Sequence, residues 1–304
     1  MIREDIAFDA QGATLRGWFY PAAGNEGRKA PCVVLQHGFS AVKEMGLDRY
    51  AEIFQAAGLN ALAYDHPGFG ASDALPGSPR QEVDPWQQVR CLQHALTYAQ
   101  SREDVDADLI GVWGSSLGGG NALVAAAIDR RVRSVVSQVP MITGSALSGS
   151  EGDGAELATA FTAERVARAG GAAPATIPVI SNDPSVPAAL PTPDAYAWFS
   201  QTENDQRSTW RNEITFLSAE HTRGYEPGAY VRFIAPTPLL MIVAPKDETT
   251  PGVFATDAYE TASRPKKLEL IPGGHFDAYD GEGFALSSTA ARDWFTTHLL
   301  GTRP

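Results

Sequence analysis

Ser116 stands at the centre of Gly114-Ser115-Ser116-Leu117-Gly118, between the apolar run that ends in Trp113 and an Ala-rich helical run that begins at Asn121. A G-x-S-x-G pentad between a strand and a helix turns the chain too sharply for large neighbours. It pushes the middle hydroxyl outward, where it can act as a nucleophile. A serine hydroxyl is weak at neutral pH, so it needs a base within hydrogen-bond reach. The base in turn needs an anion that fixes its tautomer and stabilises its cation. Of the six histidines, His94 and His298 fall in helical patterns, His221 lies in a compositionally distinct middle segment and His66 precedes a proline. His37 comes before the pentad strand. His275 alone follows the last strand-like run behind two glycines, Gly273 and Gly274, where a loop can carry imidazole over a sheet edge.

The candidate acid is Asp247, at the end of the apolar run Pro238–Ala244. Glu248, Asp277 and Asp280 are its neighbours in sequence, either to it or to His275. Asp247 is preferred because a strand end fixes its position, whereas Glu248 would point away. A tetrahedral intermediate also needs donors for its oxyanion. The backbone N–H of Leu117, at the helix start, and that of Phe39, in His37-Gly38-Phe39, are the expected pair, each typically worth ~3 kcal/mol of barrier. The competing readings are ordinary ones: a solvated loop histidine, a capping carboxylate, a strand-end turn.

These residues need a frame to bring them together. Alternation over 3–9 and 13–20 around Gln11-Gly12 predicts an opening hairpin. Runs at 32–36, 59–64, 109–113, 132–139, 238–244 and 267–271 read as strands, with 32–36 of the wholly apolar type buried on both faces and 238–244 likewise buried. Helical spacing at about 46–57, 85–99, 252–263 and 283–299 alternates with them. That rhythm predicts an α/β fold, a mostly parallel twisted sheet with helices on both faces. In such sheets ligands bind beyond the carboxyl ends of the strands. His37, Ser116, Asp247 and His275 all follow such ends.

The rhythm breaks between 140 and 230. A Gly- and Ser-rich stretch at 141–154 precedes a helix expected at 155–169. A proline-rich segment follows at 172–193, and then a second expected helical stretch at 194–222. The expected division is a core of 1–139 and 231–304 carrying an inserted lid of 140–230 after the sixth strand. Trp198, Phe199, Trp210 and Phe216 in that lid either form an apolar substrate pocket or pack the lid onto the body.

Composition narrows the class. The 304 residues are 43% hydrophobic and 20% charged, enough for a packed core, and the net charge of −12 disfavours nucleic acid as a partner. Cys32 and Cys91 lie in apolar segments and read as reduced core residues. The first residues lack the apolar core of a signal peptide, and no run is long enough to span a bilayer. A soluble, cytoplasmic protein with no membrane or nucleic-acid partner is expected, and dimerisation is left open. No His/Cys/Asp cluster has metal-ligand spacing, and no glycine-rich phosphate loop of Walker or Rossmann type is present, so neither metal nor cofactor is expected.

With these residues placed, the chain resembles an α/β-hydrolase. His37-Gly38-Phe39 matches that superfamily's oxyanion loop, and Asp65 to Ser72 its D-x-x-G-x-G-x-S turn. Gly114 to Gly118 matches the nucleophile elbow, Asp247 with Pro251 the acid loop, and Gly273 to Phe276 the histidine loop. The chain order Ser116, Asp247, His275 is also that of the superfamily. Its N-terminal strands and Gly274-His275-Phe276 are most similar to the dienelactone-hydrolase, acetyl-xylan-esterase and X-Pro-dipeptidyl-peptidase-like branches. The resemblance implies a serine hydrolase that cleaves a small carboxylic ester, thioester or lactone through an acyl-serine intermediate. Two alternatives use the same triad: a C–C bond hydrolase and a cofactor-free haloperoxidase or perhydrolase. A third is a non-catalytic ligand-binding protein on the same scaffold.

Overall fold

A computed structural model describes residues 2–25, 27–146, 154–203 and 208–301. Strands β1 (Glu4–Ala10) and β2 (Ala13–Tyr20) form the expected hairpin. They are followed by β3 (Ala30–Gln36), α1 (Leu47–Ala56), β4 (Asn60–Tyr64), α2 (Pro85–Ser101), β5 (Val105–Ser115), α3 (Leu117–Ile128) and β6 (Val132–Gln138). After the insertion come β9 (Leu239–Val243), α7 (Gly252–Thr261), β10 (Lys266–Leu270) and α8 (Gly281–Phe295). The insertion itself holds α4 (Gly154–Ala169), β7 (Thr176–Ile177), α5 (Pro193–Glu203), β8 (Ile214–Thr215) and α6 (Leu217–Arg223).

The sheet order is β1-β2-β4-β3-β5-β6-β9-β10. Only the hairpin and its junction with β4 are antiparallel; every other pairing is parallel. Strands β3, β4 and β9 are buried along their whole length, as their uninterrupted apolar runs require of strands covered on both faces. Helix α2 starts where Asp84 caps the N–H of Gln87 at 3.0 Å and Pro85 fills the first turn. Helix α3 is buried from Leu117 to Ala127, which is why its run has no polar stripe.

One core cluster, including Leu15, Val34, Leu92 and Val112, fills one face of the sheet; a second, including Leu35, Phe54, Trp113 and Phe295, fills the other. A third unites the insertion with the body. Val179, Ile180, Phe199, Trp210 and Ile214 pack there with Val42, Phe69, Leu117 and Val124. The cap therefore shares its hydrophobic core with the strand ends beneath it.

Two expectations for the insertion change. Residues 194–222 are not helical throughout. Helix α5 is followed, after residues outside the description, by an extended segment, by β8, and then by α6. Ile214 pairs with Ile177 across an antiparallel bridge. The Asn212 side-chain amide holds Ile180 from both sides, accepting from its N–H at 2.9 Å and donating to its carbonyl at 3.0 Å. Those cross-links satisfy the backbone outside a helix. The proline-rich stretch likewise contributes β7 to this two-stranded ladder. Part of the Gly- and Ser-rich stretch, 147–153, lies outside the described residues.

Candidate active site

The elbow is built by backbone crowding. Ser116 adopts φ 58° and ψ −124° between β5 and α3, a conformation costly for a residue with a side chain. A Cβ on Gly114 would lie 2.0 Å from the carbonyl oxygen of Gly118, and one on Gly118 would lie 2.5 Å from that of His37. Both glycines are required by that proximity. Gly38 serves a different contact: a Cβ there would stand 3.1 Å from Cβ of Ser116, so its bareness lets the 37–39 loop lie directly against the elbow. The N–H groups of Phe39 and Leu117 have no acceptor among the described residues. Both residues line a cavity with Ser116.

Asp247 and His275 meet. His275 Nδ1 lies 2.7 Å from Oδ2 of Asp247, and both side chains are almost wholly buried. With Asp247 ionised, Nδ1 carries the proton and donates it, which leaves Nε2 as the basic ring nitrogen. His275 and Ser116 belong to the wall of one cavity. No hydrogen bond joins them in this arrangement; such contacts commonly close only around substrate.

Thr250 is a member of this cluster that the sequence reading passed over. Its Oγ1 is 2.9 Å from Asp247 Oδ2, 3.1 Å from His275 Nδ1 and 3.0 Å from the carbonyl oxygen of Val139. Asp247 Oδ1 accepts from the N–H of Thr249 at 2.9 Å and of Thr250 at 2.7 Å. The carboxylate is thus held by donors on both oxygens, which fixes its plane. An Asp followed by Thr two and three positions on is a turn pattern in which the acid accepts from downstream N–H groups. That was the available signal. Val139, whose φ is 34°, presents the carbonyl. A β-branched residue in that region is a genuine outlier, stored here beside the site.

A second layer holds the 37–46 loop. Asp65 is fully buried; its Oδ1 accepts from the N–H of Lys43 at 2.8 Å, and its Oδ2 pairs with Lys43 Nζ at 2.6 Å. Burial works against the Lys43 ammonium, but Asp65 and Glu44 together outweigh it and raise its pKa. Oδ2 also accepts from the N–H of Ala71 at 3.0 Å, tying the 65–72 turn to the 37–46 loop. His37 Nε2 accepts from the N–H of His66 at 3.1 Å, while its Nδ1 contacts the carbonyl of Gly38 at 3.0 Å. That arrangement requires a neutral ring with the proton on Nδ1. Burial holds His37 down to about 4, and pushes its ring neighbour His66 well below the ordinary range. His37 thus braces the loop rather than acting as a base.

Of the four lid aromatics, Trp198 and Phe199 line the cavity that holds His275, together with Phe39, Phe276 and Tyr279. Trp198 stacks on Phe276 at 5.3 Å and leans on Tyr279 at 5.0 Å, joining the cap to the histidine loop. Trp210 and Phe216 are not on the walls of the cavities at Ser116. Trp210 packs on the far side of the lining, against Phe199 at 5.2 Å, and Phe216 packs against Phe161 at 4.9 Å. Their neighbours Thr209 and Thr215 bond Glu44 and Glu82 of the body, which fixes that placement. Phe276 and Tyr279, on the histidine loop, take the lining positions instead.

Among the described residues there is no group of three His, Cys, Asp or Glu side chains able to hold a metal, and no helix is long and apolar enough to cross a membrane.

The strand order, the elbow and the insertion after β6 define an α/β-hydrolase architecture. A family model for the alpha/beta hydrolase fold matches residues 31–282, and the chain belongs to that family. A polyketide transferase from Penicillium sp is 30% identical over 92% of this chain and 92% of its own length. A thiohydrolase from Aspergillus aculeatus is 31% identical over 85% of this chain and 81% of its own. The crystal structure of the α/β hydrolase GrgF from Penicillium sp. sh18 superposes with a TM-score of 0.86 at 28% identity, covering 99% of this chain and 100% of that one. An acetyl xylan esterase from Paenibacillus sp. R4, at 22% identity and a TM-score of 0.63, covers 98% of this chain and 84% of its own and shares the fold. The fold and these relatives are consistent with hydrolytic or transfer chemistry on ester or thioester groups.

Proposed function

We propose that this protein is a serine-dependent acyl-processing enzyme whose preferred bond is a thioester or an activated ester. The observation that carries the reading is the buried 2.7 Å contact between Asp247 and His275 on the wall of a cavity shared with Ser116. Ser116 Oγ attacks the carbonyl carbon as its proton passes to His275 Nε2. The oxyanion takes hydrogen bonds from the N–H groups of Phe39 and Leu117. The tetrahedral intermediate expels the thiolate or alkoxide, which receives the proton from His275, leaving acyl-Ser116. Water, or another nucleophile, then gives its proton to His275 as it attacks, and Ser116 is regenerated. Asp247 stays ionised and holds the imidazole throughout.

The relatives named thiohydrolase and polyketide transferase favour a thioester over the sugar ester suggested by the acetyl-xylan-esterase branch. They also support a second acceptor besides water, since a transferase passes its acyl group to something else. The test is labelling with a serine-directed fluorophosphonate, read by peptide mass spectrometry, beside turnover of an acyl thioester. An adduct on Ser116 and loss of turnover in Ser116→Ala by about 10⁴-fold or more are expected. Labelling at Ser115 instead, or full turnover without Ser116, overturns the reading.

A further inference from the structure

Ser116 belongs to two cavities with different walls. One contains His275 and is small, about 30 Å³, lined by Phe39, Trp198, Phe199, Phe276 and Tyr279 among others. The other is about 380 Å³ and runs beneath the cap past Leu117, Met141, Leu157, Phe161 and Leu190. Phe39, Ser116, Leu190 and Thr249 are common to both. His275 is on the wall of the first alone, whereas Leu117 is on the wall of the second alone.

That division has a chemical meaning. Departing and attacking groups must both exchange a proton with the imidazole, so they need the side of Ser116 that His275 faces. The acyl chain needs no base. It needs space on the other side of the carbonyl, while the carbonyl oxygen points to the N–H groups of Phe39 and Leu117. We infer that the cavity beneath the cap is the acyl subsite, that it takes an apolar acyl group of medium length, and that leaving group and nucleophile pass through the aromatic cavity. This inference rests on the acyl-Ser116 reading above and deepens it.

The two volumes set the sizes. Since a water occupies about 30 Å³ of liquid, a space of 380 Å³ holds roughly a dozen heavy atoms. That corresponds to an acyl chain on the order of ten to twelve carbons, or a branched or cyclised group of equal bulk. The aromatic cavity has room for about one water-sized nucleophile while Trp198 stays stacked on Phe276, so a bulkier thiol leaving group departs on that side only with Trp198 displaced. Ala219, half-buried on α6, and Leu157 on α4 border the acyl subsite from two sides.

The experiment compares kcat/KM for N-acetylcysteamine thioesters from acetyl to hexadecanoyl. The wild-type profile should rise to a maximum near decanoyl and fall beyond it. Ala219→Phe and Leu157→Trp should each shorten the optimum, lowering the ratio of decanoyl to acetyl kcat/KM by about tenfold or more, because pocket selectivity for added methylenes has that scale. Trp198→Ala should leave the chain-length optimum in place and raise the share of acyl-enzyme captured by added alcohols. Decanoate binding, measured calorimetrically in the Ser116→Ala background, should weaken in parallel in Ala219→Phe, with thermal melting as the folding control. An optimum unmoved by both filling variants, or moved by Trp198→Ala instead, overturns the subsite. Loss of the mechanism itself would read differently: turnover surviving Ser116→Ala at every chain length.

Discussion

Thr250→Val removes one hydroxyl from the cluster around Asp247 and replaces it with a methyl of similar shape. The backbone donors from Thr249 and Thr250 to Asp247 Oδ1 survive, at 2.9 and 2.7 Å. Lost are the hydroxyl's contacts with Asp247 Oδ2, His275 Nδ1 and the Val139 carbonyl. A hydroxyl has a single proton, so these contacts amount to one donated bond at a time, shared between a carboxylate and a carbonyl. A hydrogen bond to a charged group is worth about 1.5–3 kcal/mol, so if transition-state stabilisation depends on it, kcat/KM should fall by about 10- to 100-fold. Global stability should change less, by about 1–2 kcal/mol, chiefly from the unsatisfied carbonyl of Val139. The assay is steady-state turnover of an acyl thioester alongside urea unfolding of the same preparations. Thr250→Ser keeps the hydroxyl and should restore most of the activity while leaving a methyl-sized gap. Turnover in Thr250→Val within about twofold of wild type would refute the assignment of Thr250 as a positioning residue, since that is under 0.5 kcal/mol.

The Lys43–Asp65 pair gives a second expectation. Removing one partner strands a charge that is fully buried, so Lys43→Met should cost about 3–5 kcal/mol in urea unfolding, whereas Arg16→Ala, which breaks the exposed and solvent-screened pair with Asp73, should cost far less. Equal costs would show that the buried pair does not anchor the loop. A third concerns acid. His37 is neutral in the folded protein and titrates near 4, against about 6.5 when unfolded, so its contribution is fully present above 6.5 and is lost as pH falls toward 4. That loss approaches about 3 kcal/mol, and His66 acts in the same direction. Stability curves should therefore decline between pH 6.5 and 4, and a His37→Gln variant that folds should show a shallower decline over that window.

Much of the frame was legible because it is local. Gly114 is dictated by the carbonyl of Gly118 four positions on, and the apolar runs of β3, β4 and β9 follow from burial on both faces. Chain order added the rest: parallel strands put their carboxyl ends on one edge, so residues just after β5, β9 and β10 converge without any need to know side-chain positions. The cap was less legible. Its apolar residues fit helical spacing, yet Ile214 sits in a two-residue ladder and Trp210 in an extended segment, because cross-links from Asn212, Thr209 and Thr215 to distant partners outweigh weak local propensity.

By itself, then, the sequence determined which backbone turns and strand ends this protein has, since those follow from residue size, missing side chains and burial period within a few positions. Tertiary structure decided who stands beside whom. Thr250 reaches the Val139 carbonyl across 111 positions, and Lys43 reaches Asp65 across 22. The division of space around Ser116 into a tight aromatic cavity and a broad one beneath the cap arises only where α4, α5 and α6 come down on the strand ends. Contacts of that kind depend on the direction in which whole elements pack, and no short window of residues encodes that direction.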